Sequence, residues 1–291
     1  MHKLKVALIQ MNATPYKLKE NLHLALQMAQ KACEQGARLI VLPELFDSGY
    51  CVSDKDFEFG IDFKSPISHP SFKALSEFAR KNAVYIIACG IEKARKSLYD
   101  TAFIICPKGK LVGKHRKIYL WNGEKKRFSK GKDYEVFSLN FGEFKVKVGL
   151  QICYELGFGE GARILALKGA QMLVYPSAFG KARAYNWDLL SRARALENGC
   201  FVLACGLSGS AFDKNSKENL EFTGDSRVVS PKGKVLQKAS ELDECVLCEL
   251  DLDEIVPQRK ALPYLKDFDL KLIKKIVCKS QIKEQKWQKK F

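Results

Sequence analysis

Gly36-Ala37-Arg38-Leu39-Ile40-Val41-Leu42-Pro43-Glu44-Leu45-Phe46 returns in altered form as Gly169-Ala170-Gln171-Met172-Leu173-Val174-Tyr175-Pro176-Ser177-Ala178-Phe179. Short apolar runs closed by proline read as buried strands. A strand and then a helical pattern precede each copy. Before the first stand Val6-Ala7-Leu8 and the stripe Leu18, Leu22, Leu26, Ala29, which stops at Gly36. Before the second stand Val148-Gly149-Leu150 and the pattern Ala162–Lys168. Strand–helix–strand units at this spacing predict an α/β fold. If the two units are true repeats, the halves are similar and pack as two layers. Glu44 and Ser177 then sit at equivalent strand ends, and Cys153 ends the strand before its helix. Carboxyl ends of parallel strands are where open α/β sheets place ligands.

The remaining chain fits around these units. A helix is expected over 71–82 and a strand over 84–89. A further strand over 101–106 leads through Pro107-Lys108-Gly109-Lys110 into 111–116 as a hairpin. Pro231-Lys232-Gly233-Lys234 repeats that turn. Added hairpins make the sheets mixed. The 291 residues suffice for one large domain or two ordinary ones at about 100–200 residues each. No Gly/Ser/Pro linker divides them, so one domain over 1–265 and a basic extension over 266–291 are expected. Hydrophobic residues at 46% and charged residues at 28% exclude wholesale disorder. No run of about 18 apolar residues suggests a membrane span. The N-terminus lacks an apolar leader segment, which makes the cytoplasm the default address.

The net charge is +16. Residues 271–291 contain eight lysines against Glu284, and residues 108–132 contain ten Lys/Arg against Glu124. Both read as solvated basic stretches. Trp287 and Phe291 are the only aromatics in the tail, too few to interleave with the basics as a nucleic-acid surface would. Most of the ten cysteines lie in apolar runs and read as small buried hydrophobes. Cys245-Val246-Leu247-Cys248 has no second pair, and on a strand its thiols face opposite ways. The four histidines show no metal-ligand spacing. No metal or other cofactor is expected.

Three segments concentrate reactive groups. Glu44 follows an apolar run and Pro43, where burial would raise its pKa toward that of a general base. Lys117 lies in Lys114-His115-Arg116-Lys117-Ile118-Tyr119-Leu120, where a lysine taken alone more often faces solvent. Cys153 lies in Gly149-Leu150-Gln151-Ile152-Cys153-Tyr154-Glu155, leaving a strand toward a helix. A positive helix end there would favour the thiolate, although a cysteine taken alone is more often simply packed.

Together these segments resemble the nitrilase superfamily of carbon–nitrogen hydrolases, whose catalytic set is Glu, Lys and Cys in that order. The resemblance runs from about Lys5 to Tyr264. It includes the run Arg192–Asn198 and Phe222-Thr223-Gly224-Asp225-Ser226. It implies a four-layer α-β-β-α sandwich of two mixed sheets with a pseudo-twofold repeat. It also implies a homodimer or higher homo-oligomer through sheet-flanking helices. Glu44, Lys117 and Cys153 take the catalytic positions, and Glu124 fits a fourth family acid. The N–H of Tyr154 would assist Lys117 in holding an oxyanion. Ser177 would lie in the substrate site. Tyr50, Trp121, Tyr154, Phe179 and Trp187 are candidate pocket walls, or simple core.

The implied activity is hydrolysis of a small linear amide or N-carbamoyl amine through a Cys thioester. N-carbamoylputrescine-like compounds and ω-amides of dicarboxylic acids are the candidate substrates. A nitrilase acting on C≡N and a non-catalytic polyanion-binding module are the alternatives. Tyr154-Glu155 looks like the amidase and carbamoylase branches. Gly157, Gly159, Gly161 and Gly206 depart from the common pattern beside the expected pocket, and the three glycines after the nucleophile are expected to loosen its turn.

Overall fold

The computed structural model describes residues 2–52, 54–213 and 217–279. The first half runs β1 (Lys3–Gln10), α1 (Leu18–Glu34), β2 (Leu39–Val41), α2 (Pro70–Asn82), β3 (Tyr85–Ala94), β4 (Ser97–Ile105) and β5 (Leu111–Arg116). A short α3 (Glu124–Arg127) leads to β6 (Val136–Asn140), β7 (Lys145–Leu150), α4 (Gly159–Leu167), β8 (Met172–Ser177), α5 (Ala184–Asn198) and β9 (Phe201–Gly206). A small hairpin, β10 (Ser210–Asp213) with β11 (Glu218–Glu221), precedes β12 (Arg227–Val229), β13 (Val235–Lys238) and β14 (Glu244–Asp251). Helices α6 (Ile255–Ala261), α7 (Tyr264–Asp267) and α8 (Leu270–Lys279) follow. The expected basic extension thus begins on α7 and α8; its residues 280–291 lie outside the described residues. Among the described residues, no helix is long and apolar enough to cross a membrane.

Two six-stranded mixed sheets carry the repeat. One has the order β14-β1-β2-β3-β4-β5 and the other β6-β7-β8-β9-β12-β13. In each, three central strands are parallel, one antiparallel strand closes one side and a hairpin closes the other. The two Pro-Lys-Gly-Lys turns match bond for bond. Gly109 N–H donates to Cys106 and Gly233 N–H to Ser230, and both glycines have positive φ. The left-handed conformation favours glycine there.

Side-chain alternation sorts the layers. On β1, Leu4, Val6 and Leu8 belong to the core that the two sheets share, while Ala7 and Ile9 pack with α1 and α2. Ala162, Leu165 and Ala195 bring α4 and α5 onto the second sheet. The result is the α-β-β-α sandwich. The Cys205 thiol of β9 donates to the carbonyls of Ile9 and Val41, each at 3.4 Å, which brings the carboxyl ends of the two sheets together. Cys245 and Cys248 fall on opposite faces of β14, as the strand period requires, and all ten cysteines are free thiols.

The expectation of a solvated basic stretch over 108–132 holds for Lys108, Lys110, Lys125, Lys126, Lys130 and Lys132, which are exposed, and is corrected for the other four. Lys114 and Arg116 converge on buried Glu92, Arg127 holds Asp56 at 2.9 Å, and Lys117 is completely buried. Charge counting along the chain cannot see acids supplied by β3 or by the 51–60 loop.

Candidate active site

Each side chain of the central cluster is placed by the way its strand ends. Pro43 has no N–H to continue the β2 ladder, and Leu45 takes φ 50°, so the chain turns at Glu44. Lys117 extends β5 by one further bond, its N–H donating to the Asp100 carbonyl at 2.9 Å. Alternation does the rest. Lys114 and Arg116 face Glu92 on one side of the strand, while His115 and Lys117 face the second sheet. Past β7, Gln151 still bonds the Val174 carbonyl at 3.0 Å; then Cys153, at φ 45°, breaks away into the 3₁₀ turn Cys153–Gly157.

These three segments meet. Lys117 Nζ donates to Glu44 Oε1 at 2.5 Å and to Glu124 Oε1 at 2.8 Å, and Asp100 Oδ2 lies 3.4 Å away. Tyr50 Oη donates to Glu124 Oε1 at 2.5 Å, and the Trp121 backbone N–H to Glu124 Oε2 at 2.8 Å. The other Glu44 oxygen accepts the Ala178 N–H at 2.7 Å. So the Glu44 of the first repeat is held by the residue after Ser177 of the second. Cys153 is buried against the same groups. Glu44, Lys117 and Glu124 act on its charge.

Burial pushes Glu44 well above the ordinary carboxylate range, against the pull of Lys117. Burial alone would lower Lys117, but Glu44, Glu124 and Asp100 outweigh it and keep the ammonium. Burial, reinforced by Glu44 and opposed by Lys117, pushes the Cys153 thiol well up. The expectation of a thiolate favoured by a helix end is therefore corrected. The thiol rests protonated, and a base must take its proton.

Glu155 ties the nucleophile turn to the lysine segment. Its Oε2 accepts the Ile152 N–H and pairs with His115 Nε2, both at 2.8 Å, and its Oε1 accepts the Ile118 N–H at 3.1 Å. This pinning corrects the expected loosening by the glycines. A Cβ on Gly161 would stand 2.4 Å from Gln151 Nε2, and one on Gly206 2.7 Å from the Gly224 carbonyl. Close packing explains both. Gly159 would meet Arg194 at 3.1 Å, and Gly157 faces open space.

The expected walls separate. Trp121 meets Tyr154 edge-on at 4.8 Å, next to the nucleophile, and Tyr50 joins the cluster by its hydroxyl. Phe179 packs on Trp187 at 5.1 Å; Trp187 is wholly buried and gives its N–H to the Asp225 carbonyl. Ser177 is buried with its hydroxyl on the Tyr175 carbonyl at 3.1 Å. Sequence reasoning missed Asp100 and the His115–Glu155 pair. The signal for Asp100 was an acid inside Leu98–Ile105, on the inward alternation of Ala102 and Ile104. The acceptor oxygens of Glu44, Asp100 and Glu124 lie within 4.8 Å of one another, a spacing that could hold a metal ion, but here they surround an ammonium.

A family profile described as carbon–nitrogen hydrolase matches residues 5–260. The chain is 34% identical over 277 residues to the omega-amidase NIT2 of Mus musculus, covering 91% of this chain and 95% of that one. It is 38% identical over 250 residues to a nitrilase of Pyrococcus abyssi, covering 85% and 90%. Among solved structures it resembles, with a TM-score of 0.79 and 26% identity over 94% of this chain and 99% of the other, a mutant amidase from Nesterenkonia sp. AN1. That structure shows the Michael addition of acrylamide at the active-site cysteine.

Proposed function

The chain belongs to the carbon–nitrogen hydrolase family, and from that premise we propose that it cleaves the terminal amide of a short linear acid through a Cys153 thioester. The observation that carries this reading is the meeting of Glu44, Lys117 and Glu124 beside the buried Cys153 thiol.

Glu44 takes the thiol proton, and the sulfur attacks the amide carbon. The carbonyl electron pair moves onto oxygen, where the Lys117 ammonium and the Tyr154 N–H stabilise it. The C–N bond then breaks, and the departing amine takes the proton from Glu44. Water gives a proton to Glu44 and attacks the thioester. Collapse expels the Cys153 sulfur, which recovers its proton, and releases the carboxylic acid. Glu124, which accepts from Lys117, Tyr50 and the Trp121 N–H, holds Lys117 in place.

The acid end of the substrate is inferred from Arg183. Its guanidinium lies 4.8 Å over the Trp121 ring, which touches Tyr154, and no carboxylate of the described residues pairs with it. A cation there favours an ω-amide carrying a remote carboxylate over the cationic N-carbamoylputrescine. An ammonia-release panel of ω-amides, neutral amides, N-carbamoyl amines and nitriles tests the reading, with turnover expected from the ω-amides. Ammonia from nitriles alone would refute it. Arg183→Met is expected to raise KM for ω-amides by about tenfold, the worth of an exposed charged contact, and to leave neutral amides unchanged. Equal effects on both classes would remove Arg183 from recognition.

Alkylation of Cys153 by iodoacetamide should rise with pH through a limb above the usual glutamate range, because Glu44 must be ionised to accept the proton. Glu44→Gln should slow it by roughly 10²-fold at neutral pH. A flat profile in the wild type would contradict the role of Glu44. A homodimer is proposed through α4 and α5, where Ile164, Leu167, Tyr185, Leu189 and Leu196 are exposed. Analytical ultracentrifugation should give twice the chain mass, and a monomer would exclude it.

A further inference from the structure

Three carboxylic acids and one ammonium share a space closed to water. Glu44, Asp100 and Lys117 are fully buried and Glu124 nearly so. If all three acids were ionised, the cluster would carry two uncompensated negative charges, a severe desolvation cost. The hydrogen bonds show where that cost is relieved. Glu124 accepts from Lys117, Tyr50 and the Trp121 N–H. Glu44 accepts from Lys117 and the Ala178 N–H. Asp100 is poorest in donors. Its Oδ1 accepts only the weak Cys89 thiol at 3.2 Å, and its buried Oδ2 makes no hydrogen bond, having only the longer ion pair with Lys117 at 3.4 Å. Yet carboxylate oxygens of Glu44 and Asp100 lie within 4.8 Å of each other around the same ammonium, and Asp100 raises the pKa of Glu44. An orphaned buried oxygen facing a second carboxylate is satisfied if a proton stands between them.

We propose that Glu44 and Asp100 share one proton through a carboxyl–carboxylate hydrogen bond, and that Asp100 is a positioning residue for the base. The inference rests on the reading of Glu44 as the proton acceptor and deepens it. Burial alone would leave Glu44 protonated and unable to accept the thiol proton. Sharing the proton with Asp100 leaves Glu44 able to accept another, held also by Lys117 and the Ala178 N–H, and the cluster carries one net negative charge. The groups facing the pair are Lys117, Glu124, Tyr50, Cys89 and Cys153. No bond other than O–H is made or broken in the sharing.

Asparagine at position 100 reproduces this pattern, with a carbonyl oxygen toward Cys89 and an N–H toward Glu44, but it cannot take the place of an ionised partner of Lys117. Leucine supplies neither atom. The full-length protein is therefore compared as wild type, Asp100→Asn and Asp100→Leu. In infrared difference spectra at neutral pH, the wild type should show one protonated-carboxyl band that Asp100→Asn lacks. Iodoacetamide should alkylate Cys153 in Asp100→Asn within about tenfold of the wild-type rate, and in Asp100→Leu about 10²-fold more slowly. Between pH 5 and 7 the unfolding equilibrium constant of the wild type should rise about tenfold per pH unit relative to Asp100→Asn, the slope of one retained proton. The absence of the band from the wild type, its persistence in Asp100→Asn, equal alkylation rates in the two variants, or parallel stability curves would each overturn the proposal. None of these readouts uses a substrate. Failure of the ammonia panel with these results intact would refute the amide reading alone.

Discussion

Replacement of Cys153 by alanine or serine is expected to cut ammonia release by at least about 10⁴-fold while the protein keeps its fold and melting temperature. The magnitude follows from the route. Without the sulfur no thioester forms, and the remaining oxyanion donors act only on direct attack by water. Serine keeps the shape but not the chemistry, because an alcohol is a far weaker acid than a thiol and Glu44 must take its proton in a dry site. The fold should tolerate both changes. The side chain is small, and the backbone bears the same strain at φ 45° whichever of the three residues stands there. Mass spectrometry after a short exposure to substrate should find an acyl adduct on Cys153 in the wild type and none in the variants. Near-normal turnover in either variant would end the assignment.

Lys117→Met should be damaging twice over. As the oxyanion donor, the ammonium is expected to be worth on the order of 10²–10³ in kcat. As the cation among Glu44, Glu124 and Asp100, its removal leaves buried acids unpaired, at a cost of about 3–5 kcal/mol. The pH dependence separates the two effects. Lys117 is what draws Glu44 downward, so without it the folded-state pKa of Glu44 climbs further. A group whose folded pKa is raised contributes stability below its unfolded value and loses it as pH rises through the folded one. The variant should therefore regain stability relative to the wild type as pH falls toward the ordinary carboxylate range, without regaining activity. A stability deficit that is constant with pH would show that the lysine acts by packing alone.

The central strands before and after each repeated helix were legible because buried parallel strands are short apolar runs, and those runs need no partner to be recognised. The repeated Gly-Ala…Pro segment and the paired Pro-Lys-Gly-Lys turns carried the two similar halves and their hairpins as well. Glu44 and Cys153 were legible as strand-end residues. Lys117 was not legible by charge, since its neighbours Lys114, Arg116 and Arg127 look equally basic in the chain. Alternation alone turns Lys117 inward, and it does so only once β5 is paired to β4. Asp100 and the His115–Glu155 pair escaped for the same reason, as their partners lie on other strands and in the other half.

The sequence by itself determined the layers, the two similar halves and the residue types needed for thiol chemistry, because apolar periodicity and strand-ending residues are local properties. Only the tertiary structure decided which charges meet, which are buried and where the protons rest. Electrostatic energies depend on distance through space and on exclusion of water, and neither exists until the two sheets close on each other.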